Sequence, residues 1–179
     1  MNSTHRLRLG AGVLLVAAFG TLGVSPVAAA PSDISPQSAC SPGWYYRSIS
    51  RGADTHSRVG PTQSDYNGTS TTAKMTLTAT KSGTISTTVT GGGHVSLSVE
   101  LVSIESQYSI DVQNSVSVTL GNSIQINVPA HKTGNGDYGA WRAYIKGVEE
   151  YYTATCAVTQ TVAQTTYSPY RVGWRTWIS

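Results

Sequence analysis

The sequence has few of the charged residues that cover solvent-facing helices. Glutamate and lysine occur four times each in 179 residues, and charged residues make up only 12% of the chain. Helical bundles and coiled coils need many such residues on their exposed faces. The composition therefore argues against both classes, and against an enzyme of alternating strands and helices. A formal net charge of only +3, from scattered basic residues, gives no support to a nucleic-acid-binding surface.

Cysteine is also scarce, since Cys40 and Cys156 are the only two. No Cys-x-x-Cys motif indicates a redox pair, and no His/Cys cluster has the spacing of a metal site. In an exported protein, two cysteines most simply form a disulfide. Closing a loop of 115 intervening residues stabilises a fold by about 4–5 kcal/mol in the chain-entropy model. We predict a structural disulfide, no metal site and no cofactor.

The first thirty residues have the three parts of a secretory signal peptide. Two arginines precede an apolar stretch over residues 9–24, which small residues follow. The stretch is too short to span a bilayer comfortably. We predict that residues 1–29 are a signal peptide cleaved after Ala29, with Ala28 and Ala30 as neighbouring alternatives. The mature protein is therefore expected to be secreted and extracellular.

Two segments in the middle of the chain alternate with a period of two. In residues 73–89 the odd positions are mostly apolar or small, and the even positions are Ser or Thr except for Lys74. In residues 108–128 every apolar residue lies at an even position. Such alternation is typical of β-strands with one buried face. The segments predict long Ser/Thr-rich strands whose hydroxyl faces point outward.

The same region leaves two alternatives open. Residues 121–123 predict a three-residue hairpin loop that pairs Val118 with Ile126, although a continuous bent strand keeps the same phase. Residues 94–107 fit a strand by their alternation and a helix by an apolar spacing of three or four residues.

The remaining segments complete an all-β fold. Residues 30–67 carry most of the proline and predict an irregular N-terminal arm, with one short strand near Trp44. Residues 130–139 predict a glycine-rich loop, and strands with a turn at Lys146-Gly147 follow. We therefore predict an elongated antiparallel β-sandwich over residues 68–179, with long Ser/Thr-rich strands and one disulfide.

No group of residues has the pattern of a catalytic site. Asp54 and His56 lie close in sequence, but we expect both to be solvated residues of the arm. Glu149 and Glu150 would point to opposite faces of a strand and so could not act together on a glycosidic bond. We predict a protein that is not an enzyme.

Aromatic and basic residues near the end of the chain are the candidates for binding a partner. Phe19 is the only phenylalanine, whereas tyrosine occurs ten times and tryptophan four times. These rings could fill the core in place of phenylalanine, or form a binding platform in which arginines stack on them. The candidate residues are Trp141, Tyr144, Tyr170, Arg171, Trp174, Arg175 and Trp177.

Two segments resemble a known group of proteins, and they read VTLGNSIQINVPAHKTGNGDYGAWRAYIKGVEEYYTATC and YSPYRVGWRTWIS. The group consists of small secreted β-rich proteins of Streptomyces-type actinobacteria and has no established activity. Its recurring features here include Val128-Pro129-Ala130, Cys156 and the closing Trp174-Arg175-x-Trp177. The resemblance implies a secreted β-rich protein.

More loosely, the Ser/Thr-rich strands that end at Val128-Pro129 are similar to those of aerolysin- and epsilon-toxin-type pore-forming proteins. That resemblance implies a hydroxyl-rich hairpin that joins a membrane barrel, with alternate residues facing lipid and lumen. The hairpin would comprise residues 73–89 and 95–101 around the triple glycine Gly91–Gly93. Its membrane-facing candidates are Met75, Leu77, Ala79, Ile85 and Val89.

Together these observations predict a secreted, non-catalytic interaction or assembly protein, an adaptor subunit of an extracellular toxin or cell-surface complex. Its partner would be another extracellular protein or a second copy of the chain, with a membrane or a glycan as further candidates and no nucleic acid. The edges of a Ser/Thr-rich sheet could accept a partner's strand. An aerolysin-like pore-forming toxin is the alternative function, and a carbohydrate-binding module is the lesser one.

Overall fold

Two strands far longer than usual form the centre of the fold. The computed structural model describes residues 40–179, which lie within one compact unit, Ser38–Ser179. This part of the chain contains ten strands and one helix. In chain order they are β1 (Gly43–Arg51), β2 (Thr55–Arg58), β3 (Gln63–Tyr66), β4 (Ala73–Thr78), β5 (Gly83–Ser86), β6 (Thr88–Gly91), α1 (Leu97–Tyr108), β7 (Ser115–Val118), β8 (Ser123–Val128), β9 (Thr133–Tyr152) and β10 (Val158–Ile178).

Strands β9 and β10 pair antiparallel along almost their whole length. The ladder runs from Gly134 opposite Ile178 to Tyr152 opposite Val158. At about 3.3 Å per residue, the 20 residues of β9 extend over roughly 65 Å. The free edge of β9 is covered in succession by β1, β2 and β3, and β6 pairs with β10. We call these six antiparallel strands the long sheet.

Within the arm predicted over residues 30–67, the short strand expected near Trp44 is present as β1, but the irregular structure predicted for the rest of the described part is wrong. Strands β1, β2 and β3 all belong to the long sheet. The sequences of β2 and β3, THSR and QSDY, have no apolar alternation, so hydrophobic pattern could not reveal them. The domain boundary predicted at residue 68 therefore has no counterpart in the fold. The predicted signal peptide, residues 1–29, lies outside the described residues.

The glycine-rich loop predicted over residues 130–139 is also wrong for most of its length, because β9 begins at its fourth residue. The strand then continues through the turn predicted at Lys146-Gly147. These glycines allow close packing instead of turning the chain. A side chain at Gly134 would collide with Ile126, and one at Gly147 would collide with the ring of Tyr46.

The two Ser/Thr-rich segments pair with each other instead of folding back on themselves. Val118 lies opposite Gly83 and Ile126 lies opposite Met75, so the predicted three-residue hairpin is wrong. The β4–β8 and β5–β7 ladders share one register, and backbone hydrogen bonds of 2.8 Å between Ala79 and its opposite residues bridge the break between them. We call this two-stranded unit the ribbon. Its pairing buries the apolar faces of both segments at once.

The long sheet is covered on both faces. Side chains alternate along β9, so Tyr138 and Ala140 pack against the ribbon whereas Ala143 and Ile145 pack against α1. We call these the ribbon face and the helix face. The exposed Ser, Thr and Lys residues of the ribbon point away from the sheet, as predicted. The result is the predicted all-β antiparallel architecture with long strands.

Of residues 94–107, which the sequence left open between strand and helix, those from Leu97 onward belong to α1. Leu101 and Ile104 lie in the middle of the helix, and their side chains are buried against the long sheet. Leu97 and Tyr108 pack beside them. The apolar spacing of three or four residues, and not the alternation, therefore indicates the conformation of this segment correctly.

The predicted disulfide between Cys40 and Cys156 is confirmed, with sulfur atoms 2.02 Å apart. It joins the start of the described chain to the loop between β9 and β10. In residues 40–179, no helix is long and apolar enough to cross a membrane.

Replacing Ile104 with alanine should lower the free energy of unfolding by about 2–5 kcal/mol, because the side chain is fully buried and its removal leaves a cavity beneath α1. Val102→Ala is the matched control, since Val102 lies on the same helix and is 64% exposed. Its effect should stay within roughly 0.5 kcal/mol. Urea unfolding measures both, and equal effects would contradict the packing of α1 on the sheet.

Candidate interaction surface

Trp141 and Arg171 lie at the centre of an aromatic and basic surface on the helix face. They are opposite one another across β9 and β10, and the Arg171 guanidinium carbon lies 5.5 Å from the Trp141 ring centroid. On the other side of Trp141, the His56 ring meets the indole edge-on at 5.0 Å. A His56 ring nitrogen lies 3.1 Å from the Gly173 carbonyl oxygen. Three strands thus align an imidazole, an indole and a guanidinium in one row.

Tyr170 extends this row toward α1. The Arg171 guanidinium carbon lies 5.8 Å from its ring, and its hydroxyl donates a hydrogen bond of 2.6 Å to Asp54. Asp54 also accepts hydrogen bonds of 2.8 and 3.0 Å from Arg51. Burial would raise the pKa of Asp54, but the hydrogen bonds from Tyr170 and Arg51 outweigh it and lower the pKa below its ordinary value. The ionised Asp54 carboxylate therefore holds the Tyr170 side chain in place through its hydroxyl group.

Arg175 and Trp177 continue the surface toward the end of β10. Their side chains make a cation–π contact of 5.7 Å, and Trp177 is 39% exposed. Arg171 and Arg175 are exposed, and neither forms an ion pair with any of residues 40–179. We call Trp141, Tyr170, Arg171, Arg175 and Trp177 the aromatic platform.

Two of the seven predicted binding residues do not belong to this platform. Tyr144 lies on the ribbon face, where its ring stacks on Tyr167 at 5.0 Å. Trp174 packs into the core under the ribbon, and its indole N–H donates to Asn122 at 2.8 Å. The predicted set is therefore wrong for these two, because alternation along β9 and β10 turns them away from the other five.

The structure gives Asp54 and His56 a role that the sequence did not indicate. They do not hydrogen-bond to each other, since Asp54 holds Tyr170 and His56 holds Trp141 and Gly173. Both support the platform from β2 and the loop before it. Only the pairing of β2 with β9 brings them there, and no local signal in the sequence reveals that pairing.

The predicted membrane hairpin is not a unit of the structure. Residues 73–78 and 83–86 pair with residues 115–128, and Thr88 and Val89 pair with β10. None of them pairs with residues 95–101, which are largely helical. Four of the predicted membrane-facing residues lie on the ribbon's inner side, with Leu77, Ala79 and Ile85 buried and Met75 half-buried, whereas Val89 is on β6 and 38% exposed.

No protein-family model matches this chain, and no curated protein matches it. The resemblances to secreted actinobacterial proteins and to pore-forming toxins therefore remain predictions.

The support of Tyr170 by Asp54 predicts a specific acid sensitivity. Because its pKa is lowered in the fold, Asp54 stabilises the protein above its unfolded pKa of about 3.9 and loses this contribution as pH falls through the folded value. Asp54→Asn does not titrate and should lose less stability on acidification than the wild type. Urea unfolding at several pH values below about 6 measures this difference. Asp111→Asn, at an exposed position, is the control, and parallel curves for wild type and Asp54→Asn would contradict the assignment.

Proposed function

We propose that the protein is a secreted, non-catalytic interaction protein that binds an extracellular protein partner through the aromatic platform. The observation that carries this proposal is the presence of two exposed arginines that form no ion pair with any described residue, each in a cation–π contact with a tryptophan. Tryptophan and arginine are the residues most often found at the energetic centres of protein interfaces. A fixed platform also loses little side-chain entropy on binding.

The chemistry of the platform favours a partner surface that carries carboxylates next to apolar groups. Each guanidinium lies over an indole ring, and its N–H groups are available to a planar acceptor. A carboxylate can accept two hydrogen bonds from such a fork, and the rings can cover an apolar neighbour. This arrangement supports a role as an adaptor in an extracellular complex, and it is compatible with a second copy of the chain as the partner.

The experiment compares the secreted protein with two double variants after chemical cross-linking in culture fluid. Trp141→Ala with Arg171→Ala removes the centre of the platform, whereas Tyr144→Ala with Lys146→Ala changes a second aromatic and basic pair on the ribbon face. The wild type and the second variant should retain a cross-linked partner that the first variant loses. A protein that remains a partner-free monomer, or a partner held equally by both variants, would contradict the proposal. Retention of glycans alone would indicate a carbohydrate-binding module.

Pore formation is the second candidate, and the single register of the ribbon favours it. Residues 73–86 and 115–128 together form one long two-stranded unit with apolar residues on one side and mostly Ser and Thr on the other. A barrel-forming hairpin needs that division. Lys81 breaks the apolar side, but it lies in the interruption of the ladder and its stem packs over Gly60.

Dye release from liposomes tests this candidate. A cysteine pair at Thr87 and Ser168, whose hydroxyl oxygens lie 2.9 Å apart, would attach the residue that follows β5 to β10, and should suppress release if the ribbon must leave the sheet to insert. Adding reductant should restore release, with the wild type under the same reductant as the control for the native disulfide. Release that the attachment leaves unchanged would remove the ribbon as the inserting element, and no release from any lipid mixture would contradict pore formation.

A further inference from the structure

A cavity of about 290 Å³ lies between the start of α1, the end of β6 and the helix face of the long sheet. Two residues at its border, Val89 and Gly93, are exposed, so the cavity is open to solvent. One part of its lining is apolar, and the other part is polar and mostly acidic. The apolar side chains are Val89, Val95 and Leu97, and the polar ones are Glu100, Glu149 and Gln164.

Glu149 supplies a permanent negative charge to this cavity. Its carboxylate accepts hydrogen bonds from the backbone N–H groups of Gly93, His94 and Val95, at 3.1, 2.9 and 3.1 Å. Burial would raise the pKa of Glu149, but these three hydrogen bonds outweigh it and lower the pKa. The carboxylate therefore stays ionised at neutral pH although its residue is fully buried.

Glu100 and Gln164 add further acceptors to the cavity. Glu100 is 2% exposed and accepts a hydrogen bond from the Thr166 hydroxyl. Burial, together with the nearby charge of Glu149, raises the pKa of Glu100. Gln164 is 4% exposed, and its side-chain oxygen is buried and accepts no hydrogen bond from the part of the chain that the structure describes.

Gly92 keeps the space above these groups free. Its φ of +68° disfavours other residues, and a side chain there would collide with the Gln164 side-chain oxygen and the Glu149 carboxylate. Among residues 40–179, no Lys or Arg lines the cavity. The His94 ring stacks on Trp44 at 3.9 Å, and its charge contributes to the lowered pKa of Glu149 after the three backbone hydrogen bonds. The cavity thus holds the negative charge of Glu149 and, at the Gln164 side-chain oxygen, an acceptor without a donor among residues 40–179.

We propose that this cavity binds an alkylammonium or alkylguanidinium group. The N–H donors of such a group would satisfy Glu100, Glu149 and the Gln164 side-chain oxygen together. Its methylene chain would pack against Val89, Val95 and Leu97, as the stems of Lys and Arg side chains do on apolar surfaces. The ligand is either a free small amine or a Lys or Arg side chain of another polypeptide.

A metal ion fits the cavity less well than an organic cation. Calcium takes roughly six to eight oxygen ligands, and magnesium needs nearly ideal octahedral geometry. Here two carboxylates face the cavity, and residues 40–179 contain no group of three acidic, His or Cys side chains that could hold a metal. The apolar half of the lining would leave a metal without ligands but suits a methylene chain.

Calorimetric titration of the folded protein with n-butylammonium and n-butylguanidinium tests the proposal. Both should bind with one saturable site, and n-butanol, which lacks the charge, should not. Glu100→Gln keeps the shape of the side chain and removes its charge, and should weaken binding roughly ten- to hundredfold. Glu105→Gln is the matched control, because Glu105 lies on the same helix and does not line the cavity.

Further arms identify the source of the cation and separate this site from the aromatic platform. An unstructured peptide with one lysine should bind more tightly than n-butylammonium if the natural ligand is a polypeptide, and more weakly if it is a free amine. The Trp141→Ala, Arg171→Ala variant should bind the amines as the wild type does. The proposal fails if neither cation binds, if Glu100→Gln and Glu105→Gln behave alike, or if calcium displaces the amines at lower concentration than they bind.

Discussion

The antiparallel ladder between β9 and β10 is the constraint on which the rest of the structure depends. All other strands of the long sheet hydrogen-bond to one of these two, and both α1 and the ribbon pack on their faces. Because β9 has a partner at each edge and cover on each face, its side chains must be small where the layers approach. Gly134 and Gly147 meet this need, since a side chain at either would strike the ribbon or the ring of Tyr46. The glycine content of β9 therefore follows from its central place.

Strand alternation on this ladder decides which functional groups can act together. Glu149 faces α1, whereas Glu150 faces away and pairs with Arg47 at 2.6 Å. A bulge between Pro169 and Arg171 shifts the phase of β10 by one residue. Because of this bulge, the side chains of Arg171 and of the odd-numbered residues after it lie on the helix face. The even-numbered residues of β10 before Pro169 point to the same face. Without the bulge, Trp174 would point outward and the platform arginines would point under the ribbon.

The sequence predicted those parts of the fold that depend on local pattern. Alternation in residues 73–89 and 108–128 located the ribbon strands, and cysteine count gave the disulfide that the structure confirms. Pairing partners were not predictable, because two amphipathic strands of matching phase can pair with each other or fold on themselves. The five platform residues were identifiable as aromatic and basic, and alternation alone separates Tyr144 from Trp141 and Trp174 from Arg171. Placing Trp141 and Arg171 on one face depends on the bulge, for which Pro169 inside a strand is the one local signal.

The acidic cavity under α1 is the feature that depends least on local sequence pattern, because its lining comes from four separate elements of the chain. Burying Glu100 and Glu149 together does not favour stability, because each carboxylate loses hydration and the two repel one another. The amides of residues 93–95 offset this cost for Glu149, whereas the hydrogen bonds to Glu100 from Thr166 and Gln164 do not outweigh the burial that raises its pKa. A well-packed apolar pair would cost less. Departures of this kind from the rules of core packing are expected at functional sites, and a cation in the cavity would restore the balance of donors and charge. The acidic residues beneath α1 are therefore better explained by binding than by folding.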